Sequence, residues 1–148
     1  MERFAIEKNH GYLLARAHQY FSFCLKEKLN KYKITPPQLG MLAFLWKNDG
    51  INQIQLGSRM NKDRTTISGI IDRLEKEGLV IRRKNPDDRR THLIYLTPRA
   101  FDLKDELERL AAQANNEATV MLTKAEKEQL EKILRKILDA AAVTRGYG

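Results

Sequence analysis

Residues 79–97 read LVIRRKNPDDRRTHLIYLT, and this stretch decides the fold. Its first six residues and its run from Thr91 to Leu96 are short apolar segments, and each predicts a strand. The intervening NPDD is typical of a turn, with proline at a position that such turns favour. The stretch therefore predicts a β-hairpin whose tip carries the basic pair Arg89 and Arg90.

Two short helices are predicted upstream of the hairpin, because apolar residues recur there at helical spacing. The first run is Ile51, Ile54, Leu56 and Met60, and the second is Ile67, Ile70, Ile71 and Leu74, ending at Gly78. Polar residues 61–63 separate them. Helix, turn, helix and hairpin is the order of a winged helix-turn-helix. In that layout the second helix enters the major groove of DNA and the hairpin, or wing, reaches toward the minor groove.

Longer helices flank this unit on both sides. One is predicted from about His10 to Lys31, and a capping Thr35 followed by two prolines opens another that ends at 49–50. After the hairpin, Thr97-Pro98 opens a long helix whose apolar residues recur at nearly heptad spacing. A capping box at 123–126 opens the last helix. The expected fold class is mainly α with a small β-hairpin wing (α+β), in one domain over 1–148.

The second helix of the predicted unit offers side chains suited to DNA. With Ile67, Ile71 and Leu74 on its buried side, the exposed side is predicted to hold Arg64, Thr65, Thr66, Ser68, Gly69, Asp72 and Arg73. Short hydroxyl side chains and a glycine allow a helix to lie close to base edges and phosphates. Arginines at the wing tip suit a narrow minor groove. The alternative is that these residues form only a solvated face.

Positive charge is concentrated in the same part of the chain. The net charge is +8 overall, +5 over residues 58–99 and −1 over residues 100–148. Phosphate-neutralising charge in one segment is typical of nucleic-acid binding. A basic surface without a partner is the alternative on charge alone.

The wing sequence resembles a known signature. Residues 88–97, DRRTHLIYLT, are similar to the wing motif Asp-x-Arg-x-x-x-(Val/Ile)-x-Leu-Thr of the MarR family of bacterial and archaeal regulators, and residues 74–80, LEKEGLV, resemble the family's passage from recognition helix to wing. The order of elements is similar from about residue 8 to residue 142. Ala100 departs from the family, which usually has glycine there.

The resemblance implies a DNA-binding regulator that acts as a homodimer. It implies a winged helix-turn-helix lobe over 34–99, dimerisation helices over 8–31 and 100–142, and an Asp88 that holds Arg90 for the minor groove. The apolar faces of the terminal helices favour the dimer. The alternative is that those helices pack back on their own lobe. We expect a repressor of a near-palindromic operator that is released by a small molecule. The alternative is an architectural DNA-binding protein without a ligand.

The effector is the least determined part of the prediction. Effectors of the family are often small aromatic acids, and the resemblance implies a pocket between the dimer region and each DNA-binding lobe. Arg16, with His10 and Tyr20 nearby in sequence, would give such an acid a cation and an aromatic wall. Arg16 would equally suit an ion pair with an acidic residue across the dimer. No cofactor is predicted, and the sequence does not say whether binding represses or activates.

Other classes of protein find little support in the sequence. No phosphate-binding loop, metal-ligand cluster or activated nucleophile is evident, so no enzyme is predicted. Cys24, the single cysteine, lies among apolar residues and is expected to be packed rather than to sense oxidants. The longest apolar run, 41–46, is too short for a membrane span, and no signal peptide is evident, so we expect a cytoplasmic protein without a membrane partner.

Overall fold

The computed structural model describes residues 3–145, and within them it has six α-helices and three short strands. The helices are α1 His10–Leu29, α2 Pro36–Lys47, α3 Gln53–Met60, α4 Arg64–Lys76, α5 Pro98–Ala118 and α6 Lys124–Arg145. The strands are β1 Ile51–Asn52, β2 Val80–Lys84 and β3 His92–Leu96. The predicted fold class, mainly helical with a small wing, is confirmed. The first helix ends at Leu29, and a 3-10 turn at Asn30–Tyr32 replaces its expected last residues.

The wing is part of an antiparallel sheet in the order β1-β3-β2. Strands β2 and β3 pair as the hairpin pattern predicts, with Arg82 opposite Ile94. The prediction for Ile51 was wrong: it does not begin a helix but lies in β1, where it is buried and pairs with Ile94. Helix α3 begins afterwards, because the Asn52 side chain accepts a 2.7 Å hydrogen bond from the backbone of Ile54.

The core of the winged lobe lies between α2, α3, α4 and the sheet. The three residues predicted on the buried side of the second helix, Ile67, Ile71 and Leu74, are buried in this core, together with Leu42, Leu56 and Leu96. Helix α2 starts in the predicted capping box, in which Thr35 and Gln38 each bind the other's backbone N–H. The indole N–H of Trp46 donates a 3.2 Å hydrogen bond to the carbonyl of Ala100, which ties the lobe to the start of α5.

Helix α5 packs on α1 of the same protomer. The middle of its near-heptad stripe is buried there, with Leu107 0% exposed and Leu110 5% exposed. Lys28 forms a 2.8 Å ion pair with Glu117, and the Tyr32 hydroxyl donates to Glu106. The stripe that suggested a subunit interface therefore belongs to the protomer core. Heptad spacing predicts that a helix packs on an apolar partner, but it does not show whether that partner is in the same chain or in another subunit.

Helix α6 and the first half of α1 are largely exposed instead. Residues 11–20 of α1 are all exposed, and α6 carries Ile133, Ile137, Leu138 and Val143 on its exposed surface. Thr123 and Glu126 form the predicted capping box at the start of α6. Within the described residues, no helix combines the length and the apolar character needed to cross a membrane.

Candidate nucleic-acid interface

The start of α4 is fixed by an ionised cap. The carboxylate of Asp63 accepts a 2.7 Å hydrogen bond from the backbone N–H of Thr66. That hydrogen bond lowers the pKa of Asp63 below its ordinary value, so the carboxylate carries its charge at the positive end of the helix dipole. The first turn of α4 is therefore well defined at the place where Arg64 and Thr65 are presented to solvent.

Most of the predicted contact residues lie on the outer side of α4. Arg64, Thr65, Thr66 and Arg73 are exposed, whereas Ser68 and Gly69 are half-buried. The prediction that all of them lie on one exposed side is therefore only partly right. Ser68 belongs to a stripe with Asp72 and Glu75, spaced by four and three residues, that runs along β2.

Arg82 of β2 lies on this stripe, and sequence reasoning missed it. Its guanidinium pairs with Asp72 at 2.7 Å and also contacts Glu75. Its other terminal nitrogen donates to the carbonyl and to the hydroxyl of Ser68, at 3.2 and 3.3 Å. The Arg82 side chain is only 19% exposed. One arginine thus joins the wing to the middle of α4.

The tip of the wing is held by Thr91. Its hydroxyl accepts hydrogen bonds from the side-chain amides of Asn52 and Asn85, at 3.3 and 3.2 Å, and donates to the carbonyl of Asp88. The backbone N–H of Asp87 donates to the Asn85 side chain. These contacts connect the turn to β1 and to both strands of the hairpin, so the tip has a defined shape.

Asp88 and Arg90 form an ion pair at the tip. One oxygen of Asp88 accepts from the backbone N–H of Arg90 at 3.0 Å and from its Nε at 3.3 Å. The contact is not a two-pronged fork, because a single carboxylate oxygen receives both bonds. The Arg90 side chain is 91% exposed, so its terminal nitrogens are open to solvent. Arg89 is exposed beside it.

Helix α4 and the wing border the same groove. A cavity of ≈ 590 Å³ lies between α3, the turn at 61–63, the start of α4 and the wing. Arg64 and Arg90 line it from opposite sides, and Lys62 and His92 add to its wall. Lys62, which the sequence treated only as part of a polar break, therefore joins the basic surface. Asp63, the acid in this wall, is engaged as the helix cap.

The residues suggested for an effector lie apart from the two main cavities of the described protomer. His10, Arg16 and Tyr20 are exposed on α1, and they do not line the groove by the wing or the cavity of ≈ 560 Å³ between α1, α5 and α6. Cys24 is 2% exposed, and its interaction with Tyr20 raises the pKa of that phenol. Among the described residues, no cluster of three metal-ligating side chains occurs.

Comparison with known proteins places this interface in context. The MarR family model matches residues 34–92, which run from before α2 to the start of β3. A curated relative is the putative transcriptional regulatory protein for the hcr operon of Thauera aromatica, 29% identical over 104 residues. That match covers 70% of this chain and spans 63% of the relative's length.

Two solved structures are similar over nearly the whole chain. A probable transcriptional regulator from Pseudomonas aeruginosa is 28% identical, with 90% of this chain and 99% of that chain covered and a TM-score of 0.84. BpsR from Bordetella bronchiseptica, whose DNA binding is regulated by 6-hydroxynicotinic acid, is 26% identical, with 92% and 97% covered and a TM-score of 0.84. The architecture and the sequence thus match the same group of proteins.

Proposed function

We propose that this chain is a DNA-binding transcriptional regulator of the MarR family, and that it acts as a cytoplasmic, homodimeric repressor of a near-palindromic operator. The observation that carries the proposal is the shared groove, on which the recognition helix α4 and the wing both place arginines. Arginines and lysines on one face supply the counter-charge for phosphates, while α4 offers base-reading side chains. The proposed contacts are Arg64, Thr65, Thr66, Ser68, Gly69, Arg73, Asp88, Arg89 and Arg90.

The exposed apolar helices support the dimer. Helix α6 presents Ile133, Ile137 and Leu138 to solvent, and α1 presents Leu13 and Phe23. Several exposed apolar side chains on one helix are typical of a protein interface. A two-fold dimer built on α6 and the outer side of α1 would place two α4 helices on one face of a duplex.

A small-molecule effector, an aromatic acid, completes the proposal. BpsR, one of the similar structures, responds to 6-hydroxynicotinic acid. In this chain, Arg16 and Tyr20 are one helical turn apart on the exposed part of α1. A dimer partner or a repositioned α6 would have to supply the remaining wall. Titrating candidate acids during the DNA-binding assay tests this part of the proposal.

Selection of bound sites from random duplexes tests the function itself. A two-fold dimer should enrich near-palindromic sites whose half-sites are centred about 10 base pairs apart. Isolated half-sites would contradict recognition by a dimer. Uniform coating of DNA without an enriched sequence would favour the architectural role instead.

Gly69→Ala is expected to strengthen the fold and to weaken operator binding. A Cβ at this position meets no atom within 4 Å, so the methyl group fits the free protein. Removing a mid-helix glycine should stabilise the protein by about 0.5–1 kcal/mol. If α4 lies close to DNA at Gly69, the same methyl group will lower affinity. Thermal unfolding and binding titrations measure the two effects.

Gly40→Ala is the matched control. Gly40 lies in α2, away from the groove, and a Cβ there would make an ordinary 3.9 Å contact with Met60. This variant should gain similar stability and keep wild-type affinity. Unchanged binding by Gly69→Ala would remove Gly69 from the proposed interface.

A further inference from the structure

The interior position of Arg82 in β2 is unusual for a charged residue. Strand side chains alternate between faces, and Arg82 lies on the same side as Val80, which is 1% exposed. Its neighbour Arg83 lies on the other side of the sheet, where it stacks on the Tyr95 ring at 5.6 Å. Placing arginine on the inner side requires partners, since a buried, unpaired charge is strongly destabilising.

Helix α4 provides those partners along one stripe. Ser68, Asp72 and Glu75 are spaced so that they fall on one side of the helix, and all three contact the same guanidinium. Arginine is suited to this task because its planar group presents several donors in fixed directions, whereas the lysine ammonium is a compact point charge. The two carboxylates and the Ser68 carbonyl together fix both the position of Arg82 along the helix and the side from which it approaches.

Resting on the proposed function, we infer that Arg82 is a positioning residue that sets the register between the recognition helix and the wing. Binding to an operator needs α4 in the major groove and Arg90 at the minor groove simultaneously, so their separation selects a DNA geometry. The Arg82 clamp (Arg82 with Ser68, Asp72 and Glu75) fixes that separation. Arg82 itself acts through α4 and is not a base contact. The Ser68 hydroxyl serves the clamp in the free protein.

The clamp also has an electrostatic consequence. Asp72 and Glu75 lie on the recognition helix, and Asp72 is largely exposed. Without Arg82, both carboxylates would lie on the recognition helix without a counter-charge and would repel nearby phosphates. A test must therefore separate positioning from simple neutralisation.

The test measures affinity for the selected operator and for a random duplex of equal length. Arg82→Met should lower the ratio of the two affinities by about tenfold, as the loss of a well-made base contact does. Arg83→Met, the matched control, removes the same charge from the other side of β2 and should leave the ratio unchanged. A ratio that falls equally in both variants would overturn the inference.

Neutral replacements of the two acids distinguish positioning by Arg82 from simple charge neutralisation. Adding Asp72→Asn and Glu75→Gln to Arg82→Met removes the repulsion, so binding to random DNA should recover while the operator preference stays low. Recovery of the full preference would show that Arg82 is only a counter-charge. An equal loss on both duplexes, with a salt slope smaller by about 1 whether or not the acids are present, would make Arg82 a phosphate contact. Either result would overturn the positioning role.

Arg82→Lys keeps the charge and guards against loss of the fold. A lysine cannot reach both acids and Ser68 together, so the ratio should fall although the net charge is unchanged. Fluorescence of Trp46, the single tryptophan, reports unfolding in denaturant and shows whether each variant has the same unfolding midpoint as wild type. A folded Arg82→Lys variant that keeps the full operator preference would show that the several donors of the arginine side chain are not needed. If wild type itself shows no preferred site, the proposed function fails instead.

Discussion

Ile133→Glu is expected to convert the proposed dimer into a folded monomer. Ile133 is 53% exposed in the protomer, so the glutamate is solvated there and the fold survives. In a two-fold interface each substitution occurs twice, and both carboxylates would be buried without partners. Truncating or charging a central interface residue costs about 2–4 kcal/mol, which weakens association ~30- to 1,000-fold. Sedimentation across a concentration series measures the change.

Loss of the dimer should also weaken operator binding, because each monomer then binds a single half-site without the help of a linked second subunit. Ile54→Glu is the matched control for oligomeric state alone, since Ile54 is 56% exposed on α3 and lines the DNA-facing groove of the winged lobe. This variant should remain a dimer. If Ile133→Glu stays dimeric at the lowest measurable concentration, the interface lies elsewhere.

Leu107 would be the wrong residue for that experiment. Its heptad position suggested a subunit seam, but it is 0% exposed inside the protomer. Leu107→Glu would therefore unfold the chain instead of separating subunits, and even Leu107→Ala should cost about 2–5 kcal/mol of stability. Apolar spacing along α5 shows that a stripe is covered, whereas only the three-dimensional structure shows that α1 of the same protomer covers it.

Local signals account for the parts of the fold that the sequence predicted. The hairpin, the capping boxes and the buried face of α4 are each indicated by residues that lie close together in the sequence. Strand β1 is not, because Ile51 and Asn52 owe their extended form to pairing with Ile94 and Leu93, far along the chain. The apolar residue at 51 suits a helix equally well, so local spacing misassigned it.

The candidate interface was predictable by residue type but not by geometry. Arginines and short polar residues on α4 and at the wing indicated DNA binding, yet the clamp on Ser68 was missed. A signal did exist: a stripe at 68, 72 and 75 carrying two acids, followed by an arginine on the inner side of a strand. Linking the two required knowing that β2 lies along that side of α4.

Asp88→Ala should weaken operator binding even though it adds net positive charge. Asp88 holds Arg90 through two bonds to one oxygen, so the exposed guanidinium is partly ordered before DNA arrives. A free arginine must give up side-chain entropy when it is immobilised, up to about 2 kcal/mol, and the preformed contact reduces that cost. Arg90→Ala should also lower affinity and reduce the salt slope by about 1. Binding titrations across a salt series measure both variants.

Asp88→Asn separates hydrogen bonding from charge. Its amide oxygen can still accept from the backbone N–H and the Nε of Arg90, while the negative charge near phosphate is gone. If Asp88 orients Arg90, Asp88→Asn should bind the operator at least as tightly as wild type, and Asp88→Ala should bind it more weakly than either. If only charge matters, Asn and Ala should bind equally and more tightly than wild type, as should Asp87→Ala, which removes the neighbouring exposed acid. Tighter binding by Asp88→Ala at every salt concentration would rule out the orienting role. It would mean that Asp88 affects binding only by repelling phosphate, so that removing its charge is purely favourable.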